Sequence, residues 1–119
     1  MHLLLISNST NYGEAYLGWP RPHISKFLNE HNVKRVLFVP YAGVGLHDES
    51  LEKSFDVYEE KVKNVYNELG CEIYSIHKAN DPVKAVDETE AIAVGGGNTF
   101  QLGYMMHKTG SMKAIREKA

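Results

Sequence analysis

Three consecutive glycines, Gly95-Gly96-Gly97, stand between the short apolar run Ala91–Val94 and a polar residue, Asn98, that opens a helix-like segment. A strand running into such a turn has bare backbone at its tip, so its N–H groups can approach a ligand closely. The helix start that follows adds unpaired donors and the positive end of a helix dipole. That equipment serves an oxyanion, a carboxylate or a phosphate. The same residues also serve a plain tight connection. The turn lacks the dinucleotide fingerprint G-x-G-x-x-G, and no G-K-[ST] of a phosphate loop follows it.

Other side chains offer chemistry with less support from their spacing. Ser7, Ser9 and Thr10 carry hydroxyls, but a serine nucleophile needs a base and an orienting acid, and turn or capping hydrogen bonds are the better account of these residues. Asn98 suits a helix N-cap as well as contact with a substrate lying over the glycines. The six histidines show no H-x-x-x-H or cysteine–histidine spacing, so no metal site is expected. His47, beside Asp48 and Glu49, is the best of that set as a ligand or proton carrier. Cys71 follows Gly70 at the start of an apolar run and reads as a small buried side chain.

The elements that must position these residues are legible as alternating runs. Leu3–Ile6, Val36–Val39, Ile73–Ile76 and Ala91–Val94 are apolar stretches of strand length. Continuous apolar runs suit strands buried on both faces, as in a parallel sheet. Ile24, Phe27, Leu28 and His31 share one face of a helix that starts near Pro20 or Pro22. Leu51, Phe55, Tyr58, Val62, Val65, Tyr66 and Leu69 mark a long amphipathic helix, with Gly70 as its C-terminal stop. Asp81-Pro82 opens a helical turn through Val86, Phe100–His107 forms a further helix, and another begins at Met112. Strands alternating with helices predict an open, mostly parallel α/β sheet of the flavodoxin-like type, with helices on both faces. In such sheets ligands sit beyond the carboxyl ends of the strands. This brings Ser7–Thr10, Tyr41–Val44 and Gly95–Thr99 to one edge.

The totals bound the function. One domain over residues 1–119 is the natural reading of this length. A formal net charge of −2 gives no footprint for nucleic acid or an anionic membrane. Residues 2–6 are too few for a signal peptide or a membrane span, and a single cysteine favours a reducing compartment, so a cytoplasmic protein is expected.

Taken in order, Leu3-Leu4-Leu5-Ile6-Ser7-Asn8-Ser9-Thr10, Val39-Pro40-Tyr41-Ala42-Gly43-Val44 and Val94-Gly95-Gly96-Gly97-Asn98-Thr99-Phe100-Gln101-Leu102 resemble the N-terminal half of the peptidase E family. Ile76-His77 and Ala79-Asn80-Asp81-Pro82 also follow its pattern. These are α-aspartyl dipeptidases, serine peptidases related in fold to class I glutamine amidotransferases. The resemblance implies hydrolysis of dipeptides with an N-terminal aspartate, through an acyl-enzyme and without metal or cofactor. It implies that the Gly97 N–H helps form the oxyanion hole and that Asn98 lies beside the substrate. Gly96, Ser7 and Tyr41 are the remaining candidate substrate contacts.

The family's catalytic serine lies in a G-W-S-A-G type elbow. The only Gly-Trp here, Gly18-Trp19, is followed by Pro20. The chain therefore reads as the N-terminal half of a larger catalytic domain that stops before the nucleophile strand. Serine, histidine and acidic partner are then expected beyond Ala119, and the 119 residues alone are expected to be inactive. Two other readings stay open: a small-anion or nucleotide-binding module without catalysis, and a self-associating fragment with an exposed sheet edge, pairing with itself or with a C-terminal half.

Overall fold

The computed structural model describes residues 2–119. Its centre is the apolar stretch Arg35–Val39, strand β1, which pairs in parallel with β2 (Glu72–Ser75) on one side and β3 (Ile92–Val94) on the other. The strand order is β2-β1-β3. Val36 is level with Ile73, and Leu37 lies level with both Tyr74 and Ile92.

Side chains alternate across a strand, so β1 feeds two cores at once. Val36 and Phe38 point to one face, where they pack with Ile24 and Leu28 of α1 (Arg21–Glu30) and with Val62, Val65 and Tyr66 of α2 (Leu51–Glu68). Leu37 and Val39 point to the other. There they meet Val86 of α3 (Pro82–Glu88), Met106 of α4 (Thr99–Lys108) and Ala114 of α5 (Ser111–Lys118). Helices on both faces of an open parallel sheet make this the α/β, flavodoxin-like fold that the alternation predicts.

Local signals set the helix ends where expected. The Ser50 side chain accepts from Lys53 N at the start of α2, and Asp81 accepts from Lys84 N at the start of α3. α2 stops in a Schellman turn: Cys71 N donates to Tyr66 O and Gly70 N to Asn67 O, with Gly70 at φ +76°. Cys71 is a buried free thiol, as its position suggests. No helix of the described residues is long and apolar enough to cross a membrane.

Two expectations need correction. Leu3–Ile6 is not a strand. It runs beside Ala91–Val94 and walls a cavity of about 470 Å³ with them, but makes no ladder bonds. Leu3 and Leu5 are 66% and 85% exposed. The physical reason is that only one side of this run meets protein among the described residues, whereas a continuous apolar strand needs cover on both. Ile76, expected at the end of β2, instead starts a 3₁₀ turn, Ile76–Lys78, and its side chain is wholly buried.

One acidic side chain ties the sheet together at its base. The Glu90 carboxylate, just before β3, accepts from Lys34 N and Arg35 N, both at 2.8 Å, where β1 begins. These two N–H donors hold its pKa below the ordinary value of 4.5. A lowered carboxylate pKa contributes stability that is fully present above the ordinary value and is lost as pH falls through the folded one. Glu90→Gln is therefore expected to lower the urea midpoint at pH 7, and its gap to the parent protein to close as pH falls below 4.5. A gap unchanged from pH 7 to pH 3 would show that the carboxylate does not act as this clip.

Candidate functional site

The glycine turn sits at the carboxyl end of β3, and each of its residues is placed by a different contact. Gly95 N donates to Val39 O at 3.0 Å, continuing the ladder one residue beyond β3. Gly96 O accepts from the Tyr58 hydroxyl of α2 at 3.1 Å. Gly97 has φ +138°, a conformation other residues rarely adopt, and a Cβ there would lie 2.4 Å from the Ala42 carbonyl oxygen. That same oxygen accepts from Asn98 N at 2.8 Å. The loop after β1 thus grips the turn through backbone alone.

Asn98 then caps α4, its side chain accepting from Gln101 N at 3.0 Å. The capping reading of Asn98 is realised, and the residue remains exposed at the rim of the turn. Among the described residues, neither Gly96 N–H nor Gly97 N–H has a hydrogen-bond partner, and both glycines are exposed. Two unoccupied donors beside a helix N-terminus can receive an anion or a developing oxyanion.

Not every residue expected at this edge arrives there. Ser7, Asn8 and Ser9 do: with Gly95, Gly96 and Gly97 they wall a cavity of about 530 Å³, floored by Tyr16, Tyr58 and Phe38. Tyr41 does not. It is 1% exposed and stacks edge-on against Phe55 on the opposite face of the sheet, with its hydroxyl turned toward Thr109. It follows Leu37 and Val39 in the alternation, so its side chain falls on their side. What its loop contributes to the turn is the carbonyl of the next residue, Ala42.

Two features were not legible beforehand. Ala42 acts through its carbonyl, which no side-chain pattern announces. Tyr58 has the helical spacing of a core residue and packs half-buried against the core, but its hydroxyl also reaches the glycines. The empty Cβ positions of Gly43 and Gly95 are a related signal, since both are filled by the Tyr58 ring.

A second polar cluster lies at the end of β2. His77 bridges Ser75 Oγ, on its Nδ1, and Asp56, whose Oδ1 is 2.7 Å from its Nε2. The hydrogen bond from His77 holds the Asp56 carboxyl below its ordinary range. Glu59 accepts from Ser75 N at 2.9 Å. The order serine, histidine, aspartate resembles a nucleophilic relay, but Ser75 is buried and offers no approach to a substrate. Asp56, Glu59 and His77 also bring three ligand atoms within 4.8 Å of one another. The Lys78 ammonium occupies that space, 2.5 Å from Glu59 and 3.9 Å from Asp56, and balances the carboxylates. His47 stands apart from this cluster, its Nδ1 accepting from Glu49 N at 3.1 Å within its own turn.

The contrast between adjacent glycines is directly testable. Gly97→Ala meets both the positive φ and the Ala42 carbonyl, and is expected to destabilise by about 2 kcal/mol or more. At Gly96 a Cβ meets nothing within 4 Å, so Gly96→Ala is expected to change stability by less than about 1 kcal/mol. Urea denaturation of both variants measures this, and equal midpoints would refute the contact.

Comparison with known proteins identifies the family. The family model described as Peptidase family S51 matches residues 3–119. Peptidase E of a Nostoc species is 40% identical over 116 residues, covering 98% of this chain and 45% of that protein. Peptidase E of Actinobacillus pleuropneumoniae serotype 5b is 39% identical and that of Haemophilus influenzae 35% identical, each over 117 residues, or 98% of this chain. These matches cover 47% and 50% of the two relatives, so the chain spans about half the length of the curated relatives it matches. With the family model matched over almost every residue, the chain belongs to peptidase family S51.

Proposed function

We propose that this chain supplies the oxyanion-binding wall of a serine-type dipeptidase acting on peptides with an N-terminal aspartate. The observation that carries the reading is the pair of unoccupied, exposed N–H groups at Gly96 and Gly97, held beyond the carboxyl end of a parallel strand. In such a reaction a serine attacks the aspartyl carbonyl, and the negative charge that develops on its oxygen is received by Gly97 N–H. One such donor is worth about 10²–10³ in rate when it is removed from an otherwise complete site. Ser7 and Asn98 line the approach to it. The chemistry calls on no metal or cofactor.

The nucleophile comes from sequence other than this chain, in our reading, because Ser75 is buried and the exposed serines Ser7, Ser9 and Ser50 have no histidine partner among the described residues. The 119 residues are therefore inactive alone. Their complement is the half of the relatives that they do not span, and the unpaired edge of β3 with exposed Val94, Phe100 and Tyr104 is the face it would cover. The same edge favours self-association when that complement is absent. A reducing, cytoplasmic setting suits the free thiol of Cys71.

The test is hydrolysis of Asp-X dipeptides by this chain alone and mixed with the remaining half of the Nostoc peptidase E. Activity in the mixture only, lost on Gly97→Ala, is expected. Turnover by the chain alone would overturn the assignment of roles, and an inactive mixture in which the two halves bind would overturn the reaction. The unoccupied N–H groups equally suit an anion-binding module without catalysis. Calorimetry separates the two, since tight binding of a nucleotide to the isolated chain favours the module.

A further inference from the structure

The Gly96 carbonyl and the Gly97 N–H belong to one planar trans peptide, so they point in opposite directions. Whatever holds the carbonyl therefore aims the N–H. The only group on that carbonyl among the described residues is the Tyr58 hydroxyl, at 3.1 Å. We infer that Tyr58 is a positioning residue: its hydroxyl locks the Gly96–Gly97 peptide with the N–H outward, toward the bound anion or oxyanion. The inference rests on the reading of Gly97 N–H as the donor and names what orients it.

The turn needs such a lock. A peptide flanked by two glycines has little steric bias against rotating as a unit. The rotated form would present the Gly96 carbonyl oxygen where the N–H had been, and so repel the charge that the site receives. Asn98 N is already fixed to Ala42 O, and Gly95 N to Val39 O. These bonds anchor the Val94–Gly95 and Gly97–Asn98 peptides; of the two peptides between them, Tyr58 holds the Gly96–Gly97 one. A hydroxyl donating to the carbonyl also polarises the peptide and strengthens its N–H as a donor.

The phenol is itself held in one place. Phe38 meets its ring edge-on at 5.0 Å between centroids. A Cβ at Gly43 would lie 2.4 Å from Tyr58 Cδ2, and one at Gly95 would lie 2.5 Å from its hydroxyl oxygen. Two glycines thus make room for one ring. Burial also raises the Tyr58 pKa, which keeps the hydroxyl protonated and able to donate.

Tyr58→Phe keeps the ring and removes only the hydroxyl. Amide NMR of the 119-residue chain, with Gly96 carbonyl carbon and Gly97 amide assigned, reads the peptide directly. The parent is expected to show one sharp Gly97 amide signal, a hydrogen-bonded Gly96 carbonyl shift and a slowly exchanging Tyr58 hydroxyl proton. In Tyr58→Phe the carbonyl shift moves and the Gly97 signal broadens or splits, under conditions where the rest of the spectrum stays folded. Inorganic phosphate, titrated against the Gly97 signal, binds roughly three- to tenfold more weakly, the range set by one net hydrogen bond. Tyr74→Phe, which removes a hydroxyl on the opposite side of the sheet that makes no bond to the turn, leaves both readouts unchanged.

Unchanged Gly96 and Gly97 signals in Tyr58→Phe overturn the inference, even if the variant is less stable. So does a parent protein whose Tyr58 hydroxyl exchanges freely and whose Gly96 carbonyl shift is that of an unbonded group, a result that needs no variant to fold. If phosphate fails to move the Gly97 signal of the parent, the anion-receiving reading fails instead. The carbonyl and amide shifts then still decide the role of Tyr58.

Discussion

β1 is hydrogen-bonded along both edges and buried on both faces, and every other element takes its place from that strand. Its even-numbered residues call for α1 and α2 on one side, and its odd-numbered residues call for α3, α4 and α5 on the other. Burying a strand this way removes its apolar surface from water twice over, at about 25 cal/mol per Å². It also pairs the strand's backbone with a neighbour along both edges. Because β1 lies between β2 and β3, the loop that leaves its carboxyl end falls beside the glycines that leave β3. The turn at the end of β3 is therefore braced by the loop that leaves the most constrained strand among the described residues.

The turn shows how the backbone is shared between structure and ligand. Val39 O and Ala42 O, from β1 and the loop after it, take up the N–H groups of Gly95 and Asn98. The N–H groups between them are left for something else. A side chain at Gly97 would strike Ala42, so the same absence of Cβ that lets a ligand approach also lets the two loops close on each other. Buried donors rarely stay unpaired. These two are exposed, and so cost nothing to leave open until a charged group arrives.

Much of this was legible in the sequence, for reasons that differ by element. The long helix α2 is announced by an apolar stripe from Leu51 to Leu69 and closed by Gly70, signals confined to one or two turns of chain. Asn98 at the head of α4 and Asp81 at the head of α3 were legible because a cap satisfies donors only three residues away. Leu3–Ile6 misled because composition alone does not supply a neighbour. An apolar run becomes a strand when ladder partners and two covered faces are present, and here it has an exposed side instead. Tyr41 misled for a related reason. Its position in the loop is right, but alternation from Leu37 through Val39 carries its ring to the opposite face.

The sequence by itself determined the order of the elements, their caps and the bare glycine tip, since each follows from conformational preferences within a few residues. Only the tertiary structure decided which groups meet at that tip. The Tyr58 hydroxyl reaches Gly96 across 38 positions of chain, and the Ala42 carbonyl reaches Asn98 across the gap between two strands. Such meetings depend on strand register and on the rotation of α2 about its axis. Both are set by how side chains fill the space between the helix and the sheet, and a local pattern carries no record of that packing.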